Sequence, residues 1–259
     1  MSSDPTVSVL GVGLDAGGCT ILDDVGFEAV AGEFVGIIGP NGAGKSTLLS
    51  VLGGSLRAVR GKVALMGKSV RDMTPLEQAM VRSYLGASPP TDVPFPVRSV
   101  VEAGRFPFTG IDHGNDETNE EEMVEAAMSR AEVGHLAGRI YSTLSSGEQA
   151  RVLIARVLAQ ASPIALLDEP TAALDLANAE RALAVLSRAE DATTVLCVLH
   201  DLNAAAYFCD RLLLLGEGRL VASGPPAAVL QSDVLSETYR QRLRVIEHPF
   251  RSCPLVLAE

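Results

Sequence analysis

The sequence predicts an α/β protein with a mainly parallel sheet, covered by helices on both faces and interrupted by a mostly helical insert. Three observations predict it. Short apolar runs, "PIALLDEP" and "TTVLCVLHD", alternate with stretches of helical period such as "DLANAERALAVLSRAE", and strands that are apolar on both faces belong to parallel sheets sandwiched by helices. The run "GEFVGIIGP" is a buried strand leading directly into a glycine-rich turn and a helix, "KSTLLSVLGG". Composition shifts between about residues 89 and 154, first to Pro and Gly ("SPPTDVPFPV", "GRFPFTGIDHG") and then to an acidic helical stretch over 116–138. That division assigns 1–88 and 155–259 to the core and 89–154 to the insert.

The remaining elements follow in order. "TVSVL" and "VGFEAV" read as strands joined by a Gly-rich link, and "GKVALMGKSV" as a strand closed by a Gly turn. Beyond the insert, "ARVLIARVLAQ" is a long apolar-periodic helix, "LNAAAYFCD" a short one, and "RLLLLGEGRLVASG" a hairpin. No internal repeat or low-complexity tail interrupts this order.

Bulk properties narrow the class. The chain has 259 residues, 47% hydrophobic, with no Trp, enough for one large domain or two modest ones. Acidic residues outnumber basic ones by 32 to 21, for a net charge of −11, which argues against a nucleic-acid partner. Cys19, Cys197, Cys209 and Cys253 are scattered without metal-ligand spacing, the pattern of reduced thiols. The start, "MSSDPTVSVLGVG", has no basic stretch followed by an apolar one, so no signal peptide is expected. Apolar runs are broken by charge before the ~18 residues that suggest a membrane span. A soluble cytoplasmic protein is expected, touching any membrane through a partner.

The turn "GPNGAGKST" carries the first chemistry. Gly39, Gly44, Lys45 and Ser46 have the spacing of a phosphate-binding loop, with a strand before and a helix after. Gly42 and Gly44 let backbone N–H groups close around phosphate oxygens, and Pro40, Asn41, Ala43 and Thr47 belong to the same nucleotide-binding turn. Lys45 supplies a point charge, and the Ser46 hydroxyl reaches Mg²⁺. In "IALLDEP" a buried strand carries Asp168 and Glu169 to the carboxyl edge of the sheet. Asp168 is expected to hold Mg²⁺ through water and Glu169 to act as the base on an attacking water. His200 ends the next buried strand and is expected to contact a γ-phosphate, whereas His113, His135 and His248 have no such placement. The pair Gly11 and Gly13 mimics a dinucleotide fingerprint, but "GGCTILDD" does not open a helix, so that reading fails.

A second anion-like turn, "TLSSGEQ", opens the long helix about a hundred residues later. It gains meaning from a resemblance. "GPNGAGKST", "LSSGEQARVLIARVLAQ", "LLDEPTAALD" and "VLHDLN" together resemble the nucleotide-binding subunits of ATP-binding cassette transporters. The resemblance implies a P-loop NTPase core with an N-terminal antiparallel β subdomain and an inserted helical subdomain. It implies a homodimer packed head to tail, in which Ser145, Ser146 and Gly147 cap the γ-phosphate of ATP bound to the other subunit. Asp175 resembles the dimer-contacting loop, and Ser146 replaces the family's usual glycine. A permease dimer in the membrane and a substrate-binding protein are the further partners implied, with the chain on the cytoplasmic face of the membrane.

Three stretches, "VPFPVRSVVEAGRFPF", the segment from "VLHDLN" onward and the tail "VIEHPFRSCPLVLA", are similar to the importers of iron chelates, haem and cobalamin, the tail most to the haem import ATPases. Ferric-siderophore or cobalamin import is the alternative within that group, and a soluble non-transport cassette the alternative outside it. Two positions depart from the family pattern. Leu14 stands near the place of an adenine-stacking aromatic, and Ala87 matches the Gln that contacts Mg²⁺.

Overall fold

The structure, a computed structural model, describes residues 4–109, 117–188 and 193–259. The chain opens with a long hairpin, β1 (Val7–Ala16) and β2 (Cys19–Ala29). The buried strand β3 (Phe34–Ile38) and helix α1 (Lys45–Leu52) flank the glycine-rich turn. Then come β4 (Arg60–Leu65), the short β5 (Lys68–Ser69), α2 (Pro75–Val81) and β6 (Arg82–Leu85). The insert carries α3 (Val97–Glu102) and α4 (Glu117–Arg130) and leads into α5 (Ser146–Gln160). The core resumes with β7 (Ile164–Asp168), α6 (Leu176–Ser187), β8 (Thr194–Val198) and α7 (Leu202–Phe208). It ends with β9 (Arg211–Gly216), β10 (Arg219–Gly224), α8 (Pro226–Val229), α9 (Ser232–Tyr239), β11 (Leu243–Glu247) and β12 (Pro254–Ala258).

The central sheet has the order β10-β9-β3-β8-β7-β6, parallel except for the β9–β10 hairpin. Its strands alternate between two cores, as the two-residue period of a strand demands. On one face Val35, Ile37, Leu166 and Val198 pack with α1 and with the antiparallel sheet β2-β1-β4-β5. On the other Ile38, Leu167, Cys197 and Leu214 pack with the residues of α3 to α7. The expected α/β architecture, with its antiparallel N-terminal sheet and helical insert, is the one observed. Gly11 sits at φ 59° in β1, where the register with both β2 and β4 slips by a bulge. That confirms a bent strand there rather than a dinucleotide turn.

Two elements differ from the sequence expectation. The acidic helix stops at Arg130 rather than 138, because Glu132 adopts a left-handed φ of 56° and a 3₁₀ turn over Gly134–Leu136 follows. Residue 116 of that stretch lies outside the described residues. Helix α5 is continuous from Ser146 to Gln160, so the division drawn at 154 passes through one helix. Its far end is held by Arg105, which is buried and donates through Nη1 to the carbonyls of Ala159 (3.1 Å) and Gln160 (3.0 Å). Those are terminal carbonyls that the helix itself leaves without partners.

Candidate nucleotide site at the carboxyl edge of the sheet

Strand β8 lies between β3 and β7, so three strand ends converge. In register, Ile37 is level with Val198 and Val198 with Asp168. The turn that begins at Gly39, His200 and the Asp168–Glu169 pair therefore emerge side by side at one edge, the place where open α/β sheets bind ligands.

The loop's shape depends on two glycines. Gly39 has φ 146°, and a Cβ there would come within 2.2 Å of the Leu215 carbonyl oxygen. Gly44 has φ 95° and caps α1, where a Cβ would meet Leu22 Cδ2 at 2.8 Å and the Ile21 carbonyl at 2.9 Å. Neither position accepts a side chain without moving backbone. Lys45 is buried and lies across the turn, its Nζ donating to the carbonyls of Gly39 (2.8 Å) and Pro40 (2.9 Å). Burial pushes its ammonium below the ordinary lysine range, while the nearby Glu169 and Asp168 charges oppose that shift.

Ser46 Oγ donates to Asp168 Oδ1 at 3.0 Å, bringing together the two residues assigned to Mg²⁺. Burial raises the Asp168 carboxyl above its usual range, against the hydrogen bond from Ser46. A hydroxyl beside a carboxylate suits a hard cation that takes oxygen ligands, and phosphate oxygens and water would complete its shell. No group of three His, Cys, Asp or Glu side chains among the described residues forms a metal cage on its own. Glu169, at φ 54°, turns away from the strand, and its Oε1 lies 2.6 Å from Nε2 of His200.

The second turn is built differently. Ser145 caps α5 in a reciprocal capping box: its hydroxyl accepts from the Glu148 backbone N–H (3.3 Å), and Glu148 Oε2 accepts from the Ser145 N–H (2.8 Å). Ser145 Oγ is also 2.8 Å from Glu148 Oε2. A carboxylate of the same chain thus engages both the N–H and the hydroxyl of Ser145. Gly147 packs beside the Ala173 carbonyl and Leu174, both 3.6 Å from a built Cβ, just before Asp175. Asp175 caps α6 by accepting from the Asn178 N–H at 2.8 Å, a bond that holds its carboxyl below the usual range.

Leu14 is buried in the N-terminal core and pairs with Leu22. The exposed residues of that hairpin tip are Asp15, Ala16, Gly17, Gly18, Cys19 and Thr20, none aromatic. Ala87 is exposed two residues past Leu85, which pairs with Leu167, and so it continues toward the level of Glu169. His135 and His248 lie away from the three strand ends, in a 3₁₀ turn and in the β11–β12 turn; His113 lies outside the described residues. Two contributors were missed: Glu148, whose Ser-x-x-Glu spacing from Ser145 is a capping-box signature, and Tyr239 of α9, which carried no sequence signal. The Tyr239 phenol accepts from the Gly39 backbone and is pushed up to about 12 by burial.

The profile of the ABC transporter family matches residues 22–172, which includes the loop, the second turn and the Asp168–Glu169 pair. The chain belongs to the ABC transporter family. It is 46% identical to the hemin import ATP-binding protein HmuV of Nocardia farcinica, over 92% of this chain and 82% of that protein. It is 45% identical to the HmuV protein of Streptomyces coelicolor, over 95% of this chain and 88% of that one. Among solved structures it is similar to an ATP-binding cassette in a dimeric post-hydrolysis state with ADP and Pi bound. That likeness has a TM-score of 0.71 at 28% identity and covers 85% of this chain and 98% of the other. No helix among the described residues of this ABC protein is long and apolar enough to cross a membrane.

Proposed function

We propose that this ABC protein is the ATP-hydrolysing subunit of a bacterial hemin importer, seated on the cytoplasmic face of the membrane beneath a permease dimer. The observation that carries the substrate is the 46% identity, over most of both chains, to a protein named for hemin import. The chemistry rests on the site itself. ATP phosphates bind in the turn Gly39–Thr47, with Pro40 shaping the turn, Asn41, Gly42 and Ala43 supplying backbone N–H groups and Lys45 supplying charge. Ser46 and Asp168 would hold Mg²⁺, which would supply charge neutralisation to the phosphates. Glu169 takes the proton of the attacking water, and His200 orients Glu169 and contacts the γ-phosphate.

Two copies complete each site: Ser145, Ser146 and Gly147 of one face the γ-phosphate held by the other, with Asp175 at the contact. The capping box gives this step a local cost, since Glu148 must leave the Ser145 N–H for a phosphate oxygen to replace it. ATP closes the dimer because it binds the closed form better than the open one. Closure moves the permease, and hydrolysis resets it. A substrate-binding protein delivers hemin from outside, and residues 89–154 form the unit that meets the permease.

The test is uptake by proteoliposomes holding this chain and the permease encoded beside it, with the matching binding protein outside and ATP inside. ATP-dependent accumulation of hemin supports the reading. Accumulation of ferric siderophore or cobalamin in its place contradicts it.

A further inference from the structure

The tail of the chain lies outside the family match, which ends at residue 172, and forms a two-stranded sheet of its own. Strands β11 and β12 pair antiparallel from Leu243–Ala258 to Glu247–Pro254. Their connecting turn is locked from within. His248 Nδ1 accepts from the backbone N–H groups of Phe250 and Arg251, both at 3.1 Å, and the His248 N–H donates to the Cys253 carbonyl at 3.1 Å. Arg251 therefore leaves a fixed turn.

From that turn Arg251 reaches two helices at once. Its Nη2 lies 3.1 Å from Glu180 Oε1 on α6, and its guanidinium carbon lies 4.0 Å from the centre of the Tyr207 ring on α7. Further along β12, Val256 is bound to α7 by both sides of one amide. The Val256 N–H donates to Asn203 Oδ1 at 2.7 Å, and Asn203 Nδ2 donates to the Val256 carbonyl at 3.2 Å. Asn203 thereby takes the place of a third strand.

The two helices have notable starting points. Helix α6 is capped by Asp175, and α7 begins two residues after His200. Seven residues of helix have little stability of their own, so the orientation of α7 depends on what packs against it. A guanidinium held between a carboxylate and an aromatic face is a directional contact, and its planar shape is what both neighbours use.

We infer that Arg251 is a positioning residue for ATP hydrolysis: by bridging Glu180 and Tyr207 it sets the start of α7, with His200, relative to the start of α6, with Asp175. The tail hairpin is then a brace between the group that meets Glu169 in its own chain and the loop that meets the partner copy. This inference rests on the ATP-hydrolysis reading above.

The test compares full-length wild-type protein with Arg251→Ala, Arg251→Lys, Glu180→Ala and the Arg251→Ala/Glu180→Ala double variant. Turnover is normalised to sites titrated with a fluorescent ATP analogue. Arg251→Ala lowers kcat per titrated site about fivefold or more while KM for ATP moves less than about twofold. Arg251→Lys, which keeps the ion pair and loses the flat stack, falls between the two, and the double variant is no slower than Arg251→Ala. Wild-type kcat per site in Arg251→Ala overturns the inference while leaving the ATP reading intact. A fall in turnover matched by an equal fall in titrated sites also overturns it, since the arginine would then serve stability alone. A wild-type chain that hydrolyses no ATP overturns the functional reading, and this inference with it.

Discussion

Nε2 of His200 lies 2.6 Å from Oε1 of Glu169, joining the ends of two adjacent strands across the candidate site. The contact engages Oε1 of Glu169 and leaves its other oxygen for the attacking water of the proposed reaction. A base oriented in this way needs its partner for geometry as much as for charge. His200→Ala is expected to lower kcat for ATP by about 10–100-fold while leaving the Kd for ATP within about threefold. Steady-state phosphate release and equilibrium binding of a fluorescent ATP analogue measure the two effects. Equal losses in both would show His200 to be a binding residue instead.

Glu169→Gln keeps the shape of the side chain and its contact with His200 but removes the proton acceptor. Turnover should fall by about 10²-fold or more. Because Ser46 and Asp168 remain, ATP should still bind and hold two chains together, visible as a dimer on gel filtration with ATP and Mg²⁺. Turnover near that of the wild type would rule Glu169 out as the base.

What could be read in advance divides by how local the chemistry is. The phosphate loop is contiguous, and its glycines mark backbone conformations that no other residue takes, as Gly39 and Gly44 show. The parallel sheet was legible because β3, β7 and β8 are apolar on both faces. The contact of Tyr239 with the Gly39 backbone, between residues far apart in sequence, left no such trace. Glu148 was legible but passed over, since its spacing from Ser145 is that of a capping box. The end of α4 depended on one left-handed residue, Glu132, which carries no glycine to announce it. The burial of Leu14 was hard to read because alternation along β1 is broken by the bulge at Gly11, which turns Leu14 into the core.

Ala87 provides a test of coupling. It follows β6 toward the level of Glu169, where the family's pattern has a Gln. The nearest glutamines in the sequence serve other ends: Gln78 Nε2 donates to the Val70 carbonyl at 3.1 Å, and Gln149 Nε2 to the Tyr141 carbonyl at 3.1 Å. A methyl group at 87 leaves the cation to Ser46, Asp168, phosphate and water, which Mg²⁺ tolerates because it sheds water reluctantly. Ala87→Gln in the assembled transporter should increase the stimulation of ATP turnover by substrate-loaded binding protein by about two- to tenfold. Unchanged stimulation would place the coupling contact elsewhere.

The central claim is that one chain holds ATP and another completes the site. Two variants, each inactive alone, test it most directly: Lys45→Ala, which disables the phosphate loop, and Ser145→Arg, which blocks the second turn. A mixed dimer places both defects in one site and leaves the other site whole, because a two-fold interface exchanges the same surfaces. Mixing equal amounts should restore ATP turnover, up to about a quarter of the wild-type rate if subunits assort at random and sites act independently. If the mixture stays as inactive as either variant while mixed dimers form, the two turns act within one chain and the account is contradicted.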